Sequence, residues 1–100
     1  MLIDDIKQSL RIKTNSLDTE VQDIIDSAKA DLILSGILKS KTEVDVLDGI
    51  DYLIKRAIIL YSKANFGLDN SDSEKYQLAY DSLKTHLCLS AEYTSAEAVT

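Results

Sequence analysis

Residues 65–76 (NFGLDNSDSEKY) place two asparagines, two aspartates and a glutamate around a glycine, and oxygen-rich loops of this kind sometimes bind calcium. An EF-hand loop needs oxygen ligands at alternate positions, glycine at the sixth position and a bidentate glutamate at the twelfth. Counted from Asp69, the sixth residue is Glu74 and the twelfth is Tyr80, so the turn and the closing ligand are both missing. The spacing therefore favours a joint between two helices over a metal site.

The same residues are well suited to capping helix ends. Gly67 can end the preceding helix, because glycine adopts the left-handed conformation of a C-terminal cap without strain. Ser71 and Glu74 form an S-x-x-E capping box, in which each side chain accepts a hydrogen bond from a backbone N–H at the start of the next helix. We therefore predict Gly67, Ser71 and Glu74 as capping residues of the joint.

His86 and Cys88 are the only histidine and the only cysteine in the chain. Two residues apart on a helix, their side chains point about 200° from each other, so they cannot bind one metal without further ligands. A cysteine nucleophile would need an orienting third group, and none can be identified in the sequence. We interpret this pair as a surface histidine and a small apolar cysteine.

Neighbouring carboxylates occur at Asp4–Asp5 and along residues 18–26. Their neighbours are polar, which is typical of solvated helix faces with ordinary pKa values rather than of acid–base pairs in a catalytic site. No glycine loop suited to binding phosphate is recognisable. We expect no catalytic residue, no metal and no cofactor, and therefore a protein that is not an enzyme.

The chain is acidic, with a formal charge of −6 at pH 7, and its first 51 residues hold eleven acids against six bases. A dedicated nucleic-acid binder needs clustered lysine and arginine, so this balance disfavours one. The N-terminus, MLIDDIKQSL, is acidic where a signal peptide is basic, and no apolar run approaches membrane length. We expect a cytoplasmic location during synthesis and no membrane partner.

Apolar residues recur at spacings of three and four along four stretches, which predicts an all-α domain of four helices. The predicted helices cover residues 2–11, about five turns between Ser16 and Gly36, residues 47–66 and residues 72–88. The inward stripe of the last helix is predicted to consist of Tyr76, Ala79, Tyr80, Leu83 and Leu87. Residues 1–93 are expected to form one domain and residues 94–100 a flexible tail.

The ends of the second helix and the segment after it carry the clearest boundary signals. Ser16 is expected as its N-cap, and Gly36 as a left-handed residue beyond its C-terminus, with Ile37 contacting Leu32. Residues 37–47 show no sustained period and are predicted to form a loop that can include a brief extended piece. Asp45 or Asp48 is expected to cap the third helix.

The third helix has two apolar sides. Its predicted core face consists of Ile50, Leu53, Ile54, Ala57, Leu60, Tyr61 and Ala64. On the opposite side Tyr52, Ile59 and Phe66 stand seven residues apart, and this set is called the seam of this helix below. Either the helix is central and the first helix covers the seam, or the seam contacts another subunit.

In the second case Arg56 and Lys63 would flank the seam and face the acidic surface of a neighbouring copy. Opposite charges on two faces of one chain favour head-to-tail association, which closes into a ring if the rotation permits. We therefore predict Tyr52, Ile59, Phe66, Arg56 and Lys63 as subunit-interface residues.

The order of these elements resembles the small head–tail connector (head-completion adaptor) proteins of tailed phages. The matching pieces are residues 6–12 (IKQSLRI), 18–28 (DTEVQDIIDSA) and 56–66 (RAIILYSKANF). Residues 67–93 are similar to the closing segment of connectors from phages of Gram-positive hosts. The resemblance covers residues 2–93.

The resemblance implies an all-α virion protein at the head–tail interface, assembled in the bacterial host cytoplasm. About a dozen copies, which can be monomers when alone, would form a ring on the portal protein and extend the DNA channel. A tail-side connector or stopper protein would attach to that ring, and DNA would only pass through it. An acidic lumen suits such a channel, because a basic lumen would hold the DNA.

A competing hypothesis is a small helical regulator that binds protein, or binds DNA through a helix-turn-helix at the third and fourth helices. A recognition helix would present Arg, Asn or Gln near its start. The fourth helix instead starts with Asp72, Ser73 and Glu74, which would repel phosphate.

Overall fold

The computed structural model describes residues 2–42, 51–66 and 72–94, and all regular secondary structure in these ranges is helical. The helices are α1 (Leu2–Ser9), α2 (Asp18–Leu34), α3 (Lys39–Thr42), α4 (Tyr52–Asn65), α5 (Ser73–Cys88) and α6 (Ala91–Thr94). The predicted all-α class is confirmed, and two one-turn helices are added to the four that periodicity predicts. Within the described ranges, no helix has both the length and the apolar character needed to span a membrane.

The core lies between the four longer helices, with α4 in contact with α1, α2 and α5. Helix α2 contributes Val21, Ile25, Ala28 and Leu32 to the core, at spacings of three and four, while Ile24 is half-buried. The remaining buried apolar residues are Leu2, Ile6, Ile37, Ile54, Ala57, Ile58, Leu60, Tyr80, Leu87 and Tyr93. One core therefore spans α1, α2, α4, α5 and α6.

For three residues, the burial seen in the structure differs from the burial predicted from periodicity. Leu53 is 45% exposed and Ala79 is exposed, whereas Ile58, outside the predicted core face, is fully buried. Because α4 packs against three helices, its buried arc is wider than that of a surface helix and includes Ile58. Leu53 lies in the first turn of α4, at the edge of the packed region.

The end of α2 confirms the predicted glycine cap. Gly36 has a φ of +108°, its N–H donates to the Ile33 carbonyl at 3.0 Å, and the Ile37 N–H donates to the Leu32 carbonyl at 3.0 Å. These are the two hydrogen bonds of a Schellman motif. Residues beyond α1 form the same pair of bonds, but there the left-handed position is Arg11, with a φ of +61°.

Two helix starts lie later than predicted. Ser16 is not the N-cap of α2, because a turn in which the Asp18 N–H donates to the Asn15 carbonyl precedes the helix. Helix α4 begins at Tyr52, where the Asp51 carboxylate accepts the N–H groups of Leu53 at 2.8 Å and Ile54 at 3.3 Å. Asp45 and Asp48, the predicted caps, lie outside the described residues.

The loop predicted for residues 37–47 is wrong over Lys39–Thr42, which form α3. The Thr42 hydroxyl donates to the Leu38 carbonyl at 2.9 Å, and the Leu38 N–H donates to the Tyr93 carbonyl at 2.8 Å. Thr42 is fully buried. The turn is therefore stabilised by a contact with the C-terminal segment, 55 positions away in sequence, that periodicity cannot reveal.

The C-terminal segment forms helix α6 at the predicted domain boundary. Thr94, assigned to the flexible tail, is the last residue of α6, and its hydroxyl donates to the Ser90 carbonyl at 3.0 Å. Tyr93 is buried, and its hydroxyl donates to the Asp51 carboxylate at 2.8 and 2.9 Å. Residues 95–100 lie outside the described residues, so a flexible tail there stays a prediction.

Candidate assembly surface

The α4 seam is accessible mainly at its N-terminal end. Tyr52 is 83% exposed, whereas Ile59 and Phe66 are half-buried and pack against the core. Asp5 of α1 pairs with Lys55, one turn before Ile59, so α1 covers part of this side of α4. The three residues of the seam therefore differ in exposure. Tyr52 is accessible to a partner, and Ile59 and Phe66 are accessible only in part.

The two predicted flanking cations differ in their surroundings. Arg56 is exposed, and Lys63 is half-buried with its Nζ 5.3 Å from the centre of the Tyr76 ring. A cation over an aromatic face is attracted by the ring quadrupole, so Lys63 contributes to α4–α5 packing. Arg56 is therefore the better candidate for an intermolecular contact, and the interface assignment of both residues stays a prediction.

The predicted capping joint between α4 and α5 is described only in part. Glu74 lies exposed in the first turn of α5, which begins at Ser73. A carboxylate there is favoured by the positive end of the helix dipole. Gly67 and Ser71 lie outside the described residues, so their capping role stays a prediction.

Four large apolar side chains are exposed where α2 and α5 end and α4 begins. Leu34 is 87% exposed, Leu89 is 81% exposed, and Tyr52 and Leu53 occupy the first turn of α4. The set consisting of Leu34, Tyr52, Leu53 and Leu89 is called the apolar end below. Sequence reasoning missed Leu34 and Leu89, although their positions outside the inward stripes were a usable signal.

Specific contacts hold the helix termini of the apolar end together. The Cys88 thiol donates to the Ser35 carbonyl at 3.3 Å, joining the ends of α5 and α2. The Tyr93 hydroxyl binds Asp51, joining α6 to the start of α4. Burial, with the hydrogen bond to Asp51, raises the pKa of Tyr93 to about 12. The exposed apolar side chains therefore lie at helix ends that are fixed to one another by hydrogen bonds.

A second polar cluster joins α2 to α5 in the middle of the bundle. The Tyr80 hydroxyl donates to Asp31 Oδ2 at 2.5 Å, and Lys84 Nζ lies 3.0 Å from the same oxygen. Burial alone would raise the pKa of Asp31, but the hydrogen bonds and the Lys84 charge outweigh it and lower this pKa. Burial and the Asp31 carboxylate raise the pKa of Tyr80 well above its ordinary value. The cluster is internally satisfied, which suits a structural role.

The titratable residues do not converge on a metal site in the part of the chain that the structure describes. Among those residues, no three or more His, Cys, Asp or Glu side chains are grouped so that they could hold a metal ion. His86 is exposed, while the half-buried Cys88 thiol points to the Ser35 carbonyl.

Comparison with known proteins adds a family to this description. Residues 2–94 match the family described as phage connector protein. The comparisons found no matching curated protein and no matching solved structure. Since the family match spans nearly the whole chain, this protein belongs to the phage connector family and has the structural role of a connector.

Proposed function

We propose that the chain is one subunit of a head–tail connector ring of about a dozen copies that docks on the portal protein. The ring extends the DNA channel and provides the attachment surface for tail-side connector or stopper proteins. Family membership supports the connector role, and the apolar end is the observation that carries the assembly step.

The exposure of the apolar end is more than the scattered apolar surface of a monomer. Single exposed leucines need no explanation, but Leu34 and Leu89 lie beside the Cys88–Ser35 hydrogen bond that joins the ends of α5 and α2, and Tyr52 begins α4. Burying a leucine side chain contributes about 1.5–3 kcal/mol, so covering three such side chains supplies roughly 5–9 kcal/mol. That gain competes with the translational and rotational cost of association, about 4–15 kcal/mol. Because the gain and the cost are similar, we expect two free subunits to bind each other weakly and to need the portal for stable association.

This balance agrees with subunits that are monomers alone and assemble on the portal. The contacts made at each portal subunit place neighbouring copies side by side, so a weak lateral contact then acts at high effective concentration. The same logic allows tail-side proteins to bind the completed ring and not the free subunit. DNA contacts only the lumen, and the net charge of −6 disfavours its retention there.

The α4 seam takes a smaller part in this assembly than its spacing alone suggests. Ile59 and Phe66 pack against the core, so changing both to aspartate should destabilise the subunit itself. Tyr52 is shared by the seam and the apolar end, and Arg56 lies one turn from it on the exposed side. We therefore assign the intermolecular contact to Tyr52 and Arg56, with edge contributions from Ile59 and Phe66.

Electron microscopy of the purified chain mixed with candidate portal assemblies tests the proposal. The native chain should form rings stacked on the portal, and the double variant Leu34→Asp with Leu89→Asp should remain folded and fail to form them. Leu78→Asp is the matched control, because Leu78 is 64% exposed on α5 away from the apolar end. Rings formed equally by all three proteins would contradict the assembly role of the apolar end.

The same sample separates the connector from the competing DNA-binding regulator. Salt-sensitive retention of the native chain on duplex DNA, with no rings on any portal, would favour the regulator. We expect rings and no such retention.

A further inference from the structure

The turn after α1 presents two exposed cations, Arg11 and Lys13. Arg11 and Lys13 are exposed, and among the described residues their side chains form no hydrogen bond or ion pair. They line an open groove of about 410 Å³ together with Asp4, Lys7, Gln8 and Ile12. Lys7 is already engaged, since its Nζ lies 2.6 Å from Asp18 and 2.8 Å from the Asn15 side chain. Arg11 and Lys13 are called the basic corner below.

Arg11 occupies a backbone conformation that favours glycine. Its φ of +61° closes the Schellman motif after α1, at the position that Gly36 takes after α2. A non-glycine residue in the left-handed region is strained, and such residues gather at functional sites. Ending the helix does not require arginine, so the exposed charge of the side chain is available for another contact.

The outer face of α2 carries the complementary charge. Its exposed residues are Thr19, Glu20, Asp23, Asp26, Ser27, Ala30 and Leu34, which include three acids and no base. The opposite face, with Val21, Ile25 and Ala28, is buried in the core that α1 shares. Because these acids and the basic corner are all exposed, one subunit carries two separate surface sets of opposite charge.

We infer that the basic corner of each subunit binds the acidic outer face of α2 in a second copy of this chain. A contact between two different surfaces of the same chain is head-to-tail, and it repeats around a ring when the rotation between copies closes. The assignment of this contact rests on the proposed ring assembly and identifies one of the surfaces between neighbouring subunits. The apolar end lies near the far end of α2, about 25 Å along the helix from its first residue.

A second copy fits the basic corner better than nucleic acid does. Only two cations are available there, and the Asp4 carboxylate lines the same groove. Phosphate binding draws its strength from many lysine and arginine contacts, whereas a protein carboxylate pair needs one or two. Every copy of this chain carries Glu20, Asp23 and Asp26, so each ring position is supplied with a partner.

Charge reversal and rescue test the contact. Arg11→Glu with Lys13→Glu, and separately Asp23→Lys with Asp26→Lys, should each weaken ring formation on the portal by about tenfold or more. The variant that combines all four changes restores both signs and should form rings again. Lys75→Glu, an exposed charge reversal on α5, is the matched control for Lys13→Glu and should leave rings intact. Circular dichroism confirms that each variant is folded.

Arg11→Gly separates a structural role from a binding role. It should keep or raise the melting temperature, by a few degrees at most, because glycine relieves the left-handed strain. Ring formation should nevertheless weaken. A variant that is more stable and assembles normally would overturn the inference, because Arg11 would then serve only the helix end.

The remaining outcomes are also decisive. Rings in both double-reversal variants, or a folded four-change variant that forms none, would overturn the contact while leaving the proposed connector function standing. Reversal variants that form rings but lose binding to duplex DNA would reassign the basic corner to nucleic acid. A native chain that forms no rings on any portal would contradict the proposed function itself, and the contact with it.

Discussion

Removal of the Tyr80 hydroxyl is expected to loosen the packing of α5 against α2. In Tyr80→Phe the Asp31 carboxylate loses a hydrogen bond of 2.5 Å, although Lys84 still lies 3.0 Å from the same oxygen. A hydrogen bond to a charged group contributes about 1.5–3 kcal/mol. The Asp31 side chain is 36% exposed, so water can replace part of the lost contact, and the lower end of that range applies. We expect a decrease of about 1–2 kcal/mol in the free energy of unfolding.

Urea titration followed by circular dichroism measures this change, and thermal melting should show a decrease of roughly 4–16 °C for a domain of this size. Tyr76→Phe is the matched control, because Tyr76 is half-buried on the same helix and its hydroxyl has no hydrogen bond among the described residues. A double-mutant cycle with Lys84→Met should reveal coupling, since both groups share Asp31. If Tyr80→Phe and the control have the same free energy of unfolding to within about 0.5 kcal/mol, the structural role of the cluster is refuted.

Further changes probe the helix ends, the core and the pH dependence of stability. Tyr93→Phe should cost about 1–2 kcal/mol by removing the hydrogen bond to Asp51. The pKa of Tyr93 is raised from 10.0 to about 12, so its contribution to the free energy of unfolding is complete below pH 10 and is lost as the pH rises to about 12. The urea midpoints of the native protein and of Tyr93→Phe should therefore converge between pH 10 and about 12. The pKa of Asp31 is lowered, so its contribution to the free energy of unfolding is present above the ordinary value of 3.8 and is lost as the pH falls further. In Asp31→Asn the stability should therefore depend less on pH in this acid range. Gly36→Ala should cost about 1–2 kcal/mol in thermal melts through backbone strain alone, since no atom lies within 4 Å of the added Cβ. Ile54→Ala, at a fully buried position, should cost about 2–5 kcal/mol in urea titrations, and a loss below 1 kcal/mol would contradict its place in the core.

The exposure of the seam residues on α4 could be predicted only in part from helical spacing. Tyr52 was predictable, because its place outside the core stripe of a periodic helix already indicated exposure. Ile59 stands on the same face by spacing, yet it is half-buried. The Asp5–Lys55 pair shows why, since the short helix α1 packs across that part of α4. Helical spacing defines directions around one axis, and only the packing of a second helix decides which direction is covered.

Local signals in the sequence determined most of the fold of this protein. The period of apolar residues, the lack of proline and the glycine after α2 are sufficient for an all-α domain and for the Gly36 cap, because helix formation and capping depend on residues within one turn. The resemblance in the order of the helices led to the connector family, which the match over residues 2–94 shows.

Tertiary structure alone decided the features that join distant parts of the chain. The residue before α3 is hydrogen-bonded to Tyr93, and the cap of α4 is shared with the same tyrosine. The exposed residues Leu34 and Leu89 lie at neighbouring helix ends only because the ends of α2 and α5 are joined by the Cys88–Ser35 hydrogen bond. Arg11 could not be recognised as a left-handed helix terminator, because arginine carries no preference for that conformation. Contacts between residues 40 to 55 positions apart leave no periodic trace in a sequence, so the surfaces that follow from them become visible only when the chain is folded.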